Sequence, residues 1–151
     1  MAGKSDAFET DLLELIFNAA NLDATATGAS VGLADNAGSS PATDLYVSLH
    51  TADPTDSGNQ ESSECAYTSY TRIAVARSSS GWTVNGNSVS PAANVTFPEC
   101  TGGSETVTHW AIGLASTGTG YLLYAGTVSP SIAVSTGVTP ILTTASTITE
   151  D

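Results

Sequence analysis

The stretch Asp44-Leu45-Tyr46-Val47-Ser48-Leu49-His50-Thr51 decides the fold class. Leu45, Val47 and Leu49 alternate with Tyr46, Ser48 and His50. A period of two places the aliphatic set on one face of a β-strand and the polar set on the other. The reading is therefore a half-buried strand over residues 44–51, and His50 is expected to be held in it by hydrogen bonds.

Working towards the C-terminus, residues 52–64 carry Asp53-Pro54 and Ser57-Gly58-Asn59, which mark a turn-rich loop. Residues 70–76 and 82–84 read as short strands around Ser78-Ser79-Ser80-Gly81. Val89 and residues 95–97 suggest another, with Pro91 and Pro98 confining it to a sheet edge or strand end. Trp110, Ile112 and Leu114 alternate within 106–115, and Gly118-Thr119-Gly120 separates them from a hairpin partner at 121–128. Residues 138–142 and 145–149 close the set. About seven short, turn-bounded strands predict a mainly β protein, with a single antiparallel β-sandwich or jelly-roll-like domain over 44–151.

Towards the N-terminus, residues 5–21 form the one convincing helix. Phe8, Leu12, Leu15, Ile16 and Ala19 recur at helical spacing and make one apolar stripe. Asp6 followed by Glu9 has capping-box spacing with Asp6 as the cap, and Asp11 and Glu14 favour the N-terminal half of the helix dipole. The helical segment 1–22 either packs on its own sheet or docks on a neighbouring subunit. Residues 23–43, rich in Ala, Gly, Ser, Asn and Asp, read as an extended loop or arm.

The chain has 151 residues, enough for one core of ordinary size. Charged residues make up 12%, about half the usual share, so hydroxyl and amide groups must furnish most of the polar surface. Three Lys and Arg stand against 15 Asp and Glu, a formal net charge of −12. Such a surface repels nucleic-acid backbones and anionic membranes, so neither is expected as a partner. No basic segment followed by an apolar run suggests a signal peptide, and cytoplasmic synthesis is the default expectation. Under cytosolic redox conditions Cys65 and Cys100 are better read as thiols than as a disulfide.

Catalytic patterns are scarce. His50 and His109 are the only histidines, and no Gly-x-Ser-x-Gly elbow accompanies them. No electropositive setting activates Cys65. Asp53, Asp56, Glu61 and Glu64 crowd one loop, but their spacing does not match a calcium-binding EF-hand loop. No Gly-rich phosphate loop with a Lys is present. Asn94-Val95-Thr96 fits a glycosylation acceptor and is a chance match in a chain without a secretory signal. No enzyme activity, metal or cofactor is expected.

Several segments fall in a telling order. The acidic helix leads to Asp44-Leu45-Tyr46-Val47-Ser48-Leu49-His50-Thr51-Ala52-Asp53-Pro54, and then to Tyr70-Thr71-Arg72. Asn94-Val95-Thr96-Phe97-Pro98, Val107-Thr108-His109-Trp110-Ala111-Ile112 and Tyr121-Leu122-Leu123-Tyr124-Ala125-Gly126 follow. This series resembles a family of small tailed-bacteriophage virion proteins often labelled tail fibre proteins, from near residue 5 to the end. Residues 23–43 depart from that pattern as an insertion, and both cysteines are unusual for it. The resemblance implies a virion structural protein that works by burying surface between subunits. An added arm suits a capsid decoration (cement) protein on the outer surface of the head, contacting the major capsid protein and itself, with a homotrimer matching a threefold position. A tail or tail-fibre component is the close alternative, and a secreted carbohydrate-binding module the further one, with Trp82, Trp110 and the tyrosines as stacking groups. The contact residues expected are Phe8, Leu12, Leu15 and Ile16 on the helix, the 23–43 arm, and Asp53, Asp56, Glu61 and Glu64 in the acidic loop.

Overall fold

A computed structural model describes residues 4–20, 22–23, 32–34 and 42–150. Among the described residues the chain is mainly β, its sheets are antiparallel, and one helix lies near its N-terminus, in line with a β-sandwich. It divides into two compact units, one made of residues 1–43, 76–93 and 143–151, the other of 44–75 and 94–142.

In the first unit, helix α1 spans Asp6–Asn18. Its N-cap is Ser5, whose Oγ accepts the Phe8 N–H at 3.4 Å, and not Asp6 as the spacing suggested. Ser5 has the extended backbone a cap requires, while Asp6 already lies in the first turn, where its charge still favours the helix dipole. The far end closes on Ala19 in the left-handed conformation, with the Ala20 N–H donating to Glu14 O. No basic residue sits in the last turn. Arg77 supplies that charge from elsewhere in the chain, donating to the carbonyls of Leu15 and Ile16. Leu13 and Phe17 are fully buried and Glu9 nearly so, which turns the buried face away from the expected stripe.

Within the same unit, β5 (Trp82–Asn85), β6 (Ser88–Pro91) and β11 (Ile148–Thr149) form a sheet ordered β11-β6-β5. Trp82 meets Phe17 edge-to-face with ring centroids 4.8 Å apart. Each of these buried rings contributes about 1.5–3 kcal/mol or more by area alone. β1 (Leu22–Asp23) and β2 (Gly32–Ala34) pair antiparallel. The rest of the expected 23–43 arm, apart from residues 42–43, lies outside the described residues.

In the second unit, β4 (Ile73–Ala76), β3 (Asp44–His50), β8 (Ser104–Gly113) and β9 (Leu122–Ser135) form a sheet in that order. A two-stranded pair of β7 (Val95–Thr96) and β10 (Ile141–Leu142) accompanies it. β3 pairs with β8 so that Val47 faces Ile112 and Leu49 faces Trp110, which aligns the aliphatic stripes. Leu45, Val47 and Leu49 are buried as their periodicity predicts. Ser48 and His50 are fully buried as well, so the polar face of this strand is covered at its C-terminal end and only half-buried at Asp44 and Tyr46. The physical reason is that residues 62–65 turn back along the end of β3, with Thr51 N–H donating to Ser63 O and Cys65 N–H to Leu49 O.

The hairpin of β8 and β9 forms as expected, but β9 continues past residue 128 to Ser135. Its register jumps from Thr127 opposite His109 to Ile132 opposite Val107, leaving residues 128–131 bulged against Thr108. Pro130 is tolerated because it sits in this bulge, on the strand that ends the sheet order.

Candidate functional site

Two loops of the second unit meet around a buried glutamine. Gln60, fully buried, accepts the Ala115 N–H on Oε1 at 2.9 Å and donates through Nε2 to Ala115 O at 3.3 Å. Its own backbone N–H donates to Gly120 O at 3.1 Å. The side chain threads between two glycines. A Cβ on Gly120 would stand 1.8 Å from Gln60 Oε1, and one on Gly113 would stand 2.1 Å from Gln60 Cδ. Only glycine leaves that space, so the 52–64 loop is locked to the turn joining β8 and β9.

A buried ion pair reinforces the lock. Arg72 Nε and Nη2 each donate to a Glu64 oxygen at 2.7 Å, a bidentate arrangement whose Arg72 side chain is 3% exposed. Arg72 also donates to Ala115 O at 2.9 Å and to Gly118 O at 2.8 Å. Glu64 accepts the Tyr70 hydroxyl at 2.9 Å besides. The hydrogen bonds to Glu64 raise the Arg72 pKa further above its already high ordinary value, the cost of burial notwithstanding.

His50 has a related task. Its Nδ1 lies 2.8 Å from Ser62 O, so Nδ1 carries the proton and Nε2 accepts from the Ser48 hydroxyl, also at 2.8 Å. Burial lowers its pKa, outweighing the hydrogen bond to Ser62 and the Glu64 charge that raise it. The ring therefore works as a neutral clamp on the returning loop. Glu105 is similarly committed, accepting the backbone N–H groups of Ala66 and Tyr67 at 3.0 and 3.2 Å.

The acidic residues picked out by the sequence thus separate. Glu64 is neutralised by Arg72. Asp53 accepts the Thr55 N–H at 2.9 Å in a turn, and Glu61 is exposed. Asp56 lines an open cleft of about 490 Å³, together with Gly58 and Asn59 from its own loop and Thr119, Tyr121 and Leu122 from the facing turn. Among the described residues no three His, Cys, Asp or Glu side chains gather in a metal-binding group. On the helix Phe8 is 37% exposed, and Leu12, Leu15 and Ile16 are half-buried.

The thiols of Cys65 and Cys100 are unpaired and buried. Burial, followed by the neighbouring Glu105 carboxylate, pushes Cys65 up to about 12. Cys100 Sγ donates to Gly102 O at 3.3 Å. Sequence reasoning missed Gln60 and the lock it forms. The available signal was Gly113 and Gly120 bracketing one turn, since paired glycines at a hairpin end can mark the passage of another segment.

The class this defines is a β-rich protein in whose second unit Arg72, Glu64, Glu105 and His50 are spent on holding loops in place. The family described as podophage GP4 fiber I protein gp80 matches residues 32–149, and the chain belongs to that family. It is a bacteriophage structural protein and a component of the virion. No curated protein matches it.

Proposed function

We propose that this chain is a non-enzymatic structural subunit of the phage tail fibre, associating with other virion proteins. The observation that carries the reading is the match to a fibre protein family over residues 32–149. The site chemistry supports it. His50 is sealed in the core, Arg72 and Glu64 neutralise each other, and both thiols are buried, so the groups that could drive a reaction instead rigidify a shaped surface. A rigid, loop-locked β unit suits a part that transmits load and presents surface. Self-association belongs to the same reading, because fibrous assemblies repeat one interface by symmetry. The half-buried Leu12, Leu15 and Ile16, with exposed Phe8, are the helix residues available for such contacts.

Head decoration is the competing assignment, and the residue 23–43 arm that suggested it falls mostly outside the described residues. Copy number separates the two. Quantitative mass spectrometry of purified virions should give a small number of copies per particle, with antibody label on the tail. Hundreds of copies, scaling with the major capsid protein and labelling heads, would reject the fibre assignment in favour of decoration.

A further inference from the structure

The turn between β5 and β6 reads Asn85-Gly86-Asn87-Ser88, and it is exposed from Asn85 to Asn87. We propose that Asn85 is a site of self-modification. The Gly86 amide nitrogen cyclises onto the Asn85 side chain, and the isoaspartyl product loosens the C-terminal strand β11. The inference does not depend on a position in the tail or on the head.

The step balances within the chain and one water molecule. Gly86 N attacks Asn85 Cγ and gives up its proton, so that a C–N bond forms. The bond from Cγ to Nδ2 breaks, and ammonia leaves. Water then opens the five-membered imide. Opening at one carbonyl leaves aspartate, while opening at the other leaves isoaspartate, with the main chain running through the former side chain.

Three features place this step at Asn85. A nitrogen whose residue carries no Cβ meets the least obstruction in closing a small ring, and Asn85-Gly86 is the only Asn-Gly pair in the chain. Gly86 has φ +61 at the first central position of a two-residue turn and Asn87 has no positive φ, the type II′ pattern. The N–H at that position has no partner in the turn, and Gly86 N makes no hydrogen bond among the described residues. Asn85 offers its carbonyl oxygen to the Ser88 hydroxyl at 3.1 Å, while its side-chain amide makes no hydrogen bond among the described residues.

Other asparagines are held back. Asn18 Nδ2 donates to Glu14 at 2.7 Å, Asn59 Oδ1 accepts the Glu61 N–H at 2.8 Å, and Asn87 Nδ2 donates to Glu150 O at 2.9 Å. Asn94 precedes Val95, whose β-branched side chain crowds the attacking nitrogen.

The consequence follows from what hangs on the turn. Asn87 O accepts the Glu150 N–H at 2.8 Å, and Glu150 pairs with Lys4, just ahead of α1, at 3.0 Å. β11 is paired to β6 through Ile148 opposite Val89 and Thr149 opposite Ser88. Isoaspartate inserts a methylene into the main chain, so Asn85 can no longer face Ser88 across a two-residue turn. Either product also adds a negative charge to a chain already at −12. A virion component is not replaced after assembly, so the change accumulates with the age of the particle.

The test is to incubate the folded full chain at neutral and mildly alkaline pH and map its peptides by mass spectrometry over time. The peptide holding Asn85 should gain about 1 Da and become a substrate for an isoaspartyl methyltransferase, sooner at the alkaline pH. No other described asparagine should convert as fast. Asn85→Gln, whose longer side chain disfavours the five-membered ring, should stay unmodified at an unchanged melting temperature. Hydrogen exchange at Ser88 and residues 148–150 should quicken in the aged chain and not in the variant aged beside it. The proposal is overturned if Asn85 converts in the urea-unfolded chain but stays intact in the folded one, since the turn would then protect it. It is equally overturned if the isoaspartyl form exchanges residues 148–150 no faster than the unmodified chain.

Discussion

Replacing Arg72 by alanine removes four hydrogen bonds at once: two to Glu64, one to Ala115 O and one to Gly118 O. An exposed ion pair would contribute about 0–1 kcal/mol, because water screens it. Here the side chains are 3% and 15% exposed, so little screening applies. Breaking a buried pair from one side typically costs about 3–5 kcal/mol, since the remaining charge is stranded. Glu64 keeps the Tyr70 hydroxyl as a partner, which argues for the lower end, about 3 kcal/mol. At about 2–4 °C per kcal/mol for a chain of this size, the melting temperature should fall by roughly 6–12 °C. Urea denaturation at constant m-value gives the free-energy change directly, and hydrogen exchange should quicken first at residues 115–120. Removing both charges, in Arg72→Met with Glu64→Leu, should restore much of the loss, because no ion is then left stranded. A loss below about 1 kcal/mol for Arg72→Ala would refute the reasoning and reduce the pair to a screened surface contact.

Other perturbations test neighbouring parts of the same construction. His50 has a lowered pKa in the folded state, so the unfolded chain takes up its proton first as pH falls. Its contribution is complete above the unfolded value of about 6.5 and is lost as pH falls through the folded value. Melting curves from about pH 7.5 down to pH 5 should show this decline, and His50→Gln should flatten it. Gly120→Ala should cost about 1–3 kcal/mol by overpacking against Gln60, and the same change should cost less in a Gln60→Ala background. An equal penalty in both backgrounds would dissociate the glycine from the lock. With Cys65 raised to about 12 and both thiols buried, disulfide-exchange reagents should label them only as the protein unfolds. Rapid labelling of the native chain would contradict that burial.

Much of the fold was legible because strand periodicity is a local signal. The alternation of Leu45, Val47 and Leu49 with polar residues identified β3, and Gly118-Thr119-Gly120 identified the hairpin of β8 and β9. Pro130 concealed the second half of β9, because a proline reads as a strand end unless a bulge at a sheet edge accommodates it. The helix was legible in position but not in rotation. Two overlapping apolar stripes compete on it, and packing against Trp82 favours the one through Leu13 and Phe17. The candidate site was legible only in part. Asp56 was picked out with the acidic loop, while Tyr121 was one tyrosine among several at strand spacing.

By itself the sequence determined the β class, the N-terminal helix, the anion-repelling surface and the phage resemblance, each of which depends on composition, spacing or motif order. Tertiary structure decided which charges remain available. Glu64, Glu105 and His50 look like Asp56 in a one-dimensional reading, as polar groups near a loop. Only the return of the 52–64 loop along β3 and its closure on the 114–121 turn bring Arg72, Ser62 and Gln60 within bonding distance of their partners. Hydrogen bonds act over about 3 Å, whereas the partners here lie from 8 (Glu64 and Arg72) to 60 (Gln60 and Gly120) residues apart in the chain. That difference in range is why spacing could mark the loop as acidic but could not show that Asp56 alone among its acids lines the cleft.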